Sequence, residues 1–189
     1  ATNVSRVGGK GLGLVTLGLD VAKGFLPVWF ARTQGWDPAP VAALALAATA
    51  GHVFTPWLGF RGGKGVAAAL GAALGFHWLM VLPSLGLFVA LVGLTRYVSL
   101  GSILGAGLMP VMLAFLPEPE RTLRLGGSAF QMELQLGGLL RWPTHQPWVI
   151  GIWALLAGLV IVKHHENIRR LVTGTENPLW GAKREGADR

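Results

Sequence analysis

No cysteine occurs in this chain, so disulfides and cysteine-ligated metals are excluded and the redox compartment is unreadable. Charge is also scarce. Asp, Glu, Lys and Arg make up 13% of residues, about half the share of a soluble domain, which argues against a large soluble all-α protein. Acids are scarcer than bases, 9 against 16. A metal site wants converging carboxylates or spaced histidines; the basic islands described below contain only Glu166, Glu176, Glu185 and Asp188, so neither metal nor cofactor is expected. The start, ATNVSRVGGK, is polar and basic with no leader-peptide pattern and no initiating Met, which suggests a chain beginning inside a longer protein. No internal repeat is evident, which weighs against inverted-repeat transporters.

What the chain has is apolar length. It is 52% hydrophobic, and its apolar runs fall at 11–32, 40–58, 66–75, 77–95, 100–116 and 148–162. A span needs about 20 residues. The stretch 66–95 is too long for one ordinary span and too short for two, so it reads as a short helix, a turn near Phe76-His77-Trp78, and a full span. The expected fold is therefore an all-α integral membrane helix bundle of about six segments, with a short re-entrant-like helix, forming one domain over 1–189.

The net charge of +7 is explained by the positive-inside rule more cheaply than by nucleic acid. With Arg6 and Lys10 in the cytoplasm, alternation places Arg61, Lys64, Arg96, Lys163, Arg169, Arg170 and the tail bases there too. Arg32, Arg121, Arg124 and Arg141 fall outside. This assignment requires the short helix to count as a crossing. The long connection 117–147 alternates apolar and polar residues around Gly126-Gly127 and is expected to form an external loop or β-hairpin. Residues 163–189 read as a cytoplasmic amphipathic tail.

Chemistry concentrates in the polar islands. In FRGGKG, 60–65, consecutive glycines allow backbone N–H groups to converge on an oxyanion, and Arg61 and Lys64 add full charge. A helix beginning after Gly65 would add its N-terminal dipole. The spacing is not that of a nucleotide P-loop, and a basic cytoplasmic turn explains the stretch equally well. TRYVSLGS, 95–102, offers Arg96 and Ser99, the latter also readable as a helix cap. In KHHENIRRLVTGTEN, 163–177, helical spacing puts His164 and Asn167 on one face, with Arg169 and Arg170 toward lipid phosphates or solvent. A plain juxtamembrane helix is the alternative. Asp20 and Lys23 read as a mutually neutralising pair within the first span. All the islands fall on one membrane face, where several cations and few acids describe a site for a multiply charged anion.

In series, ATNVSR, GHVFTPWLGFRGGKGVAAALG, RYVSL and KHHENIRRLVTGTE resemble the PlsY family of bacterial glycerol-3-phosphate acyltransferases, over nearly the whole chain. The resemblance implies a seven-helix, monomeric inner-membrane enzyme with its site at the cytoplasmic face. It implies acyl transfer from acyl phosphate to the sn-1 hydroxyl of glycerol 3-phosphate, with the bilayer as the other partner and no nucleic acid. Ser99, His164 and Asn167 would line the reacting centre. Asn3, Arg6, Arg61, Gly62, Gly63, Lys64 and Gly65 would bind substrate, with His52 and Glu166 as structural supports. The family's first span and a Ser-Gly-Asn segment before ATN are expected upstream. Arg61 stands where the family usually has Lys, Thr55 where it has Pro, Ala68 where it has Thr and His165 where it has Arg; 117–147 looks like an insertion. Acyl-CoA-dependent enzymes with a His followed by an Asp five residues later are disfavoured, because no His here has that partner. The rival class is an anion transporter or channel, which would need polar groups on both faces.

Overall fold

The architecture comes from a computed structural model that describes residues 2–115 and 146–180, with 2–8 and Lys10 described by backbone alone. Among the described residues there are six α-helices and no strand: α1 (Thr2–Thr33), α2 (Pro38–Val53), α3 (Val66–Thr95), α4 (Val98–Phe115), α5 (Pro147–Val162) and α6 (His165–Val172). A short 3-10 turn, Pro56–Leu58, lies between α2 and α3. Helices keep every backbone bond within the segment, which is what a bilayer demands. Of the hairpin expected at 117–147, residues 117–145 lie outside the described residues, as does the far tail, while Gln146 and Pro147 open α5.

By length and hydropathy, 11–33, 38–58, 66–95 and 98–115 each qualify as spans, and α5 does so when joined to α6 across a 61° bend. The 30 residues of α3 would extend about 45 Å if straight, but they do not run straight. Gly65, just before α3, packs against Val160 near the end of α5, while Phe76 meets Trp153, farther back along α5, at 5.2 Å. On the other arm, Gly105 of α4 packs on Ser84 and Gly101 on Phe88 and Val92, and Ser99 meets Glu176 beyond α6. Both ends of α3 thus lie at one end of the bundle. The chain reverses at His77, where the backbone becomes extended (φ −162, ψ 102) for a single residue. The break falls within the turn expected at 76–78, but no loop separates the arms. Counting the arms separately gives six apolar segments among the described residues, and the reversal that the charge assignment required.

Two features hold the reversal. A helix ending inside the bundle leaves carbonyls without intrahelical partners; Arg32, at the end of α1, donates to the Phe76 carbonyl. The first arm also packs tightly on α1. A Cβ on Gly24 would lie 2.0 Å from the Ala68 carbonyl oxygen, and one on Gly71 would lie 2.0 Å from that of Val21. Lipid is as apolar as leucine, so close backbone approach through small residues replaces the hydrophobic effect as the source of helix association. Trp153, Met80 and Leu156 fill the middle of the core and are fully or almost fully buried.

Candidate active site

The 60–65 loop is shaped by the end of α2. The 3-10 turn closes with Gly59 at φ +58, followed by Phe60 at φ +62. The chain then folds back so that the Gly62 amide donates to the Val53 carbonyl at 3.1 Å. Gly62 lies so close to the His52 carbonyl that a Cβ would sit 2.1 Å from it, and one on Gly63 would sit 2.2 Å from His52 Nε2. Gly65 caps the start of α3 at φ +84, in the region that favours glycine. The loop accordingly needs glycine at 62, 63 and 65, and it delivers Lys64 to the mouth of the bundle.

Opposite it, α6 begins at a bend. His164 is buried, and its Nδ1 lies 2.7 Å from the Val160 carbonyl. A carbonyl only accepts, so Nδ1 carries the proton and Nε2 is the lone-pair nitrogen of the neutral ring. Asn167, also buried, is shared: its Oδ1 accepts from Lys64 Nζ, and its Nδ2 donates to Glu176 Oε1 at 2.7 Å. The same Oε1 accepts from Ser99 Oγ at 2.9 Å, and Arg170 Nε donates to Oε2 at 2.8 Å. The turn that returns Glu176 to α6 passes through Gly174 at φ +66, and the next residues tie to the α3–α4 corner where Leu179 donates to the Arg96 carbonyl.

Burial would raise the Glu176 carboxyl, but hydrogen bonds from Arg170, Asn167 and Ser99, with the Arg170 charge, outweigh it and hold Glu176 below its ordinary range. It is a fixed anion, and a poor base because its lone pairs are committed.

Lys64, Ser99 and Asn167 therefore converge on one network, with His164 one turn from Asn167. Arg61 is exposed, next to this cluster in sequence. The side chains of Asn3 and Arg6 lie outside the described set. Glu166 does not hold the third motif together: its side chain is 74% exposed and 3.8 Å from Arg170. Glu176 does that, and Arg170 turns inward to it rather than outward to lipid. The available signal was the TG turn after α6 followed by a single acid, which lets a carboxylate fold back on its own helix. Arg169 remains exposed.

The family profile described as glycerol-3-phosphate acyltransferase matches residues 1–174. Proteins named glycerol-3-phosphate acyltransferase from Geobacter sulfurreducens and Trichlorobacter lovleyi are 45% and 40% identical, each over 94% of this chain and 77% of the relative. Crystal structures of PlsY (YgiH), an integral membrane glycerol 3-phosphate acyltransferase, are similar in fold at 31% identity. The lysophosphatidic acid form has a TM-score of 0.73 and covers 94% of this chain and 77% of that one. The glycerol 3-phosphate form has a TM-score of 0.74 and covers 95% and 76%. With the family profile matching residues 1–174 and relatives of 45% and 40% identity matching over 94% of the chain, the chain belongs to the glycerol-3-phosphate acyltransferase family.

Proposed function

We propose that this membrane enzyme transfers a fatty acyl group from acyl phosphate to the sn-1 hydroxyl of glycerol 3-phosphate, giving lysophosphatidic acid and inorganic phosphate, as a monomer at the cytoplasmic face of the bacterial inner membrane. The observation that carries this reading is the network at one end of the bundle in which Ser99 and Asn167 share Glu176 and Asn167 holds Lys64. Lys64 and Arg61, with Arg6 and Asn3 from the N-terminal segment, supply cations and donors for two phosphate-bearing molecules. Gly62, Gly63 and Gly65 let the loop fold tightly onto α2, which presents Lys64 and Arg61 to these anions.

Acyl phosphate is a mixed anhydride whose phosphate leaves readily. The hydroxyl oxygen bonds to the acyl carbon, the bond from that carbon to the bridging phosphate oxygen breaks, and the phosphate departs with the electron pair. Positioning two bound substrates in this way contributes roughly 7–11 kcal/mol, and cations on the phosphates ease the charge shift. The hydroxyl proton passes to a substrate phosphate oxygen, whose second pKa is about 6, with His164 Nε2 as the nearby alternative. Ser99 spends its own proton on Glu176, leaving its oxygen lone pairs to accept from the substrate hydroxyl. With its proton committed to Glu176, Ser99 is oriented to accept from the substrate hydroxyl rather than to attack the acyl carbon, which supports direct transfer.

The test is phosphate release by protein reconstituted in bilayers and given palmitoyl phosphate, with and without glycerol 3-phosphate, beside palmitoyl-CoA as donor. Release that requires glycerol 3-phosphate, with the CoA donor inert, is expected. Transfer from palmitoyl-CoA, or release indifferent to glycerol 3-phosphate, overturns the reading.

A further inference from the structure

Against the glycine loop, three ionisable groups meet at α1 and α2. Asp20 Oδ1 of α1 accepts from Lys23 Nζ at 2.6 Å, and the same oxygen lies 3.5 Å from His52 Nδ1 on the last turn of α2. The sequence suggested a closed Asp20–Lys23 pair; the structure adds a third member from another helix. Asp20 and His52 side chains are each 13% exposed, whereas Lys23 is 44% exposed. The carboxylate is therefore oriented inward, toward the imidazole, as well as along its own helix.

The other edge of that imidazole touches the loop. A Cβ on Gly63 would meet His52 Nε2 at 2.2 Å, Cε1 at 2.9 Å and Cδ2 at 3.2 Å. The ring thus fits directly under the backbone of the residue preceding Lys64. Gly62 is held by the same turn of α2, through its amide bond to Val53 and its close approach to the His52 carbonyl. Keeping ionisable groups in an apolar setting is costly, and groups retained there serve a purpose by default. Here the geometry offers one: a second set of residues fixing the orientation of first-contact groups.

We infer that His52 is a positioning residue for the phosphate-binding loop, a wedge under Gly63 whose ring is oriented by Asp20, and that this pair sets where Lys64 meets the glycerol 3-phosphate. The inference rests on the acyl-transfer reading above. Neither residue touches substrate. Displacement of Lys64 by the loss of the wedge weakens binding of the phosphate more than it slows the chemical step.

Two near-isosteric substitutions separate the parts. His52→Gln places an amide where Nε2 was, keeping the wedge and losing the Asp20 contact; His52→Asn does the reverse. His52→Ala and His52→Asn are expected to raise KM for glycerol 3-phosphate about 10-fold with kcat within about 3-fold of the parent, since small displacements of binding groups are costly. His52→Gln is expected to recover part of that loss, the remainder being the orientation that Asp20 supplies. Independently of activity, trypsin should cut after Arg61 and Lys64 faster in folded His52→Ala and Asp20→Ala protein than in the parent. An unchanged KM in folded His52→Ala, or a KM no better in Gln than in Asn, overturns the positioning role while leaving the reaction intact. Equal trypsin rates overturn it even in a protein with no transferase activity. A parent that uses palmitoyl-CoA in place of acyl phosphate, with faster loop cleavage in the variants, overturns the reaction alone.

Discussion

Ser99 and Asn167 donate to one and the same oxygen of Glu176, at 2.9 and 2.7 Å, although they come from different helices. This shared acceptor closes the α3–α4 corner onto α6 and fixes which atoms each residue has left for substrate. Asn167 has already given its carbonyl oxygen to Lys64, so the acid sets the orientation of a cation it does not touch.

Removing the charge at that point tests the arrangement. Glu176→Gln keeps the shape but trades an acceptor oxygen for an NH2 that faces other donors. The expected loss is about 1–3 kcal/mol of stability, as for leaving buried partners unsatisfied, with a matching fall in activity. A pH signature goes with it. Folding lowers this carboxyl below its ordinary value of 4.5, so its contribution is fully present above that value and is lost as pH falls through the lower folded-state value. Thermal melts from pH 7 downward should drop more steeply in this region for the parent than for the Gln variant. Parallel curves would remove Glu176 from the account.

Asn167 separates charge from shape in another way. Asn167→Asp retains an oxygen for Lys64 but turns the second oxygen toward the Glu176 carboxylate, replacing a hydrogen bond with like-charge repulsion. It should fold less stably than Asn167→Ala, and both should lose most turnover. Lys64→Ala, by contrast, should raise KM for glycerol 3-phosphate about 10- to 100-fold, the worth of a charge-assisted hydrogen bond. Slower turnover at an unchanged KM would move Lys64 from binding to chemistry.

His164 decides the proton. With Nδ1 held by the Val160 carbonyl, Nε2 is correctly presented for a base, yet a substrate phosphate also titrates in the working range. His164→Ala is expected to lower kcat about 10-fold, short of the 10²–10⁴ of a general base, with the pH–rate profile retained. A loss beyond about 10³, with disappearance of the acidic limb, would assign the proton to the imidazole.

Much of this could be read in the sequence because membrane proteins write their topology in charge and apolar length. The break near His77 and the clustering of Lys64, Ser99, His164 and Asn167 follow from composition along the chain. Three relationships did not. Glu176 lies nine residues beyond Asn167, and only the left-handed turn at Gly174 returns it to the helix; Glu166, nearer in sequence, attracted the role instead. The Asp20–His52 contact joins two helices whose facing register no single-chain pattern reveals. The glycines of α1 look alike in sequence, and only packing distinguishes them.

That last distinction yields the sharpest stability prediction. Gly18 and Gly24 lie in the same helix, so Ala should favour either as helix, by about 1 kcal/mol. At Gly18 a Cβ meets nothing within 4 Å, whereas at Gly24 it would lie 2.0 Å from the Ala68 carbonyl oxygen and 2.9 Å from its carbon. Backbone cannot rotate aside as a side-chain tip does, so α1 and the first arm of α3 must move apart. Separation would cost the dispersion contacts that hold helices together in lipid, and would move Arg32 away from the Phe76 carbonyl it satisfies. Gly24→Ala should lose about 1–3 kcal/mol or more, as overpacked sites do, while Gly18→Ala should be neutral or slightly stabilising. Unfolding in mixed micelles by increasing SDS measures both. Equal midpoints would mean that the α1–α3 crossing is not the tight joint described here, and that the reversal at His77 is held by something else.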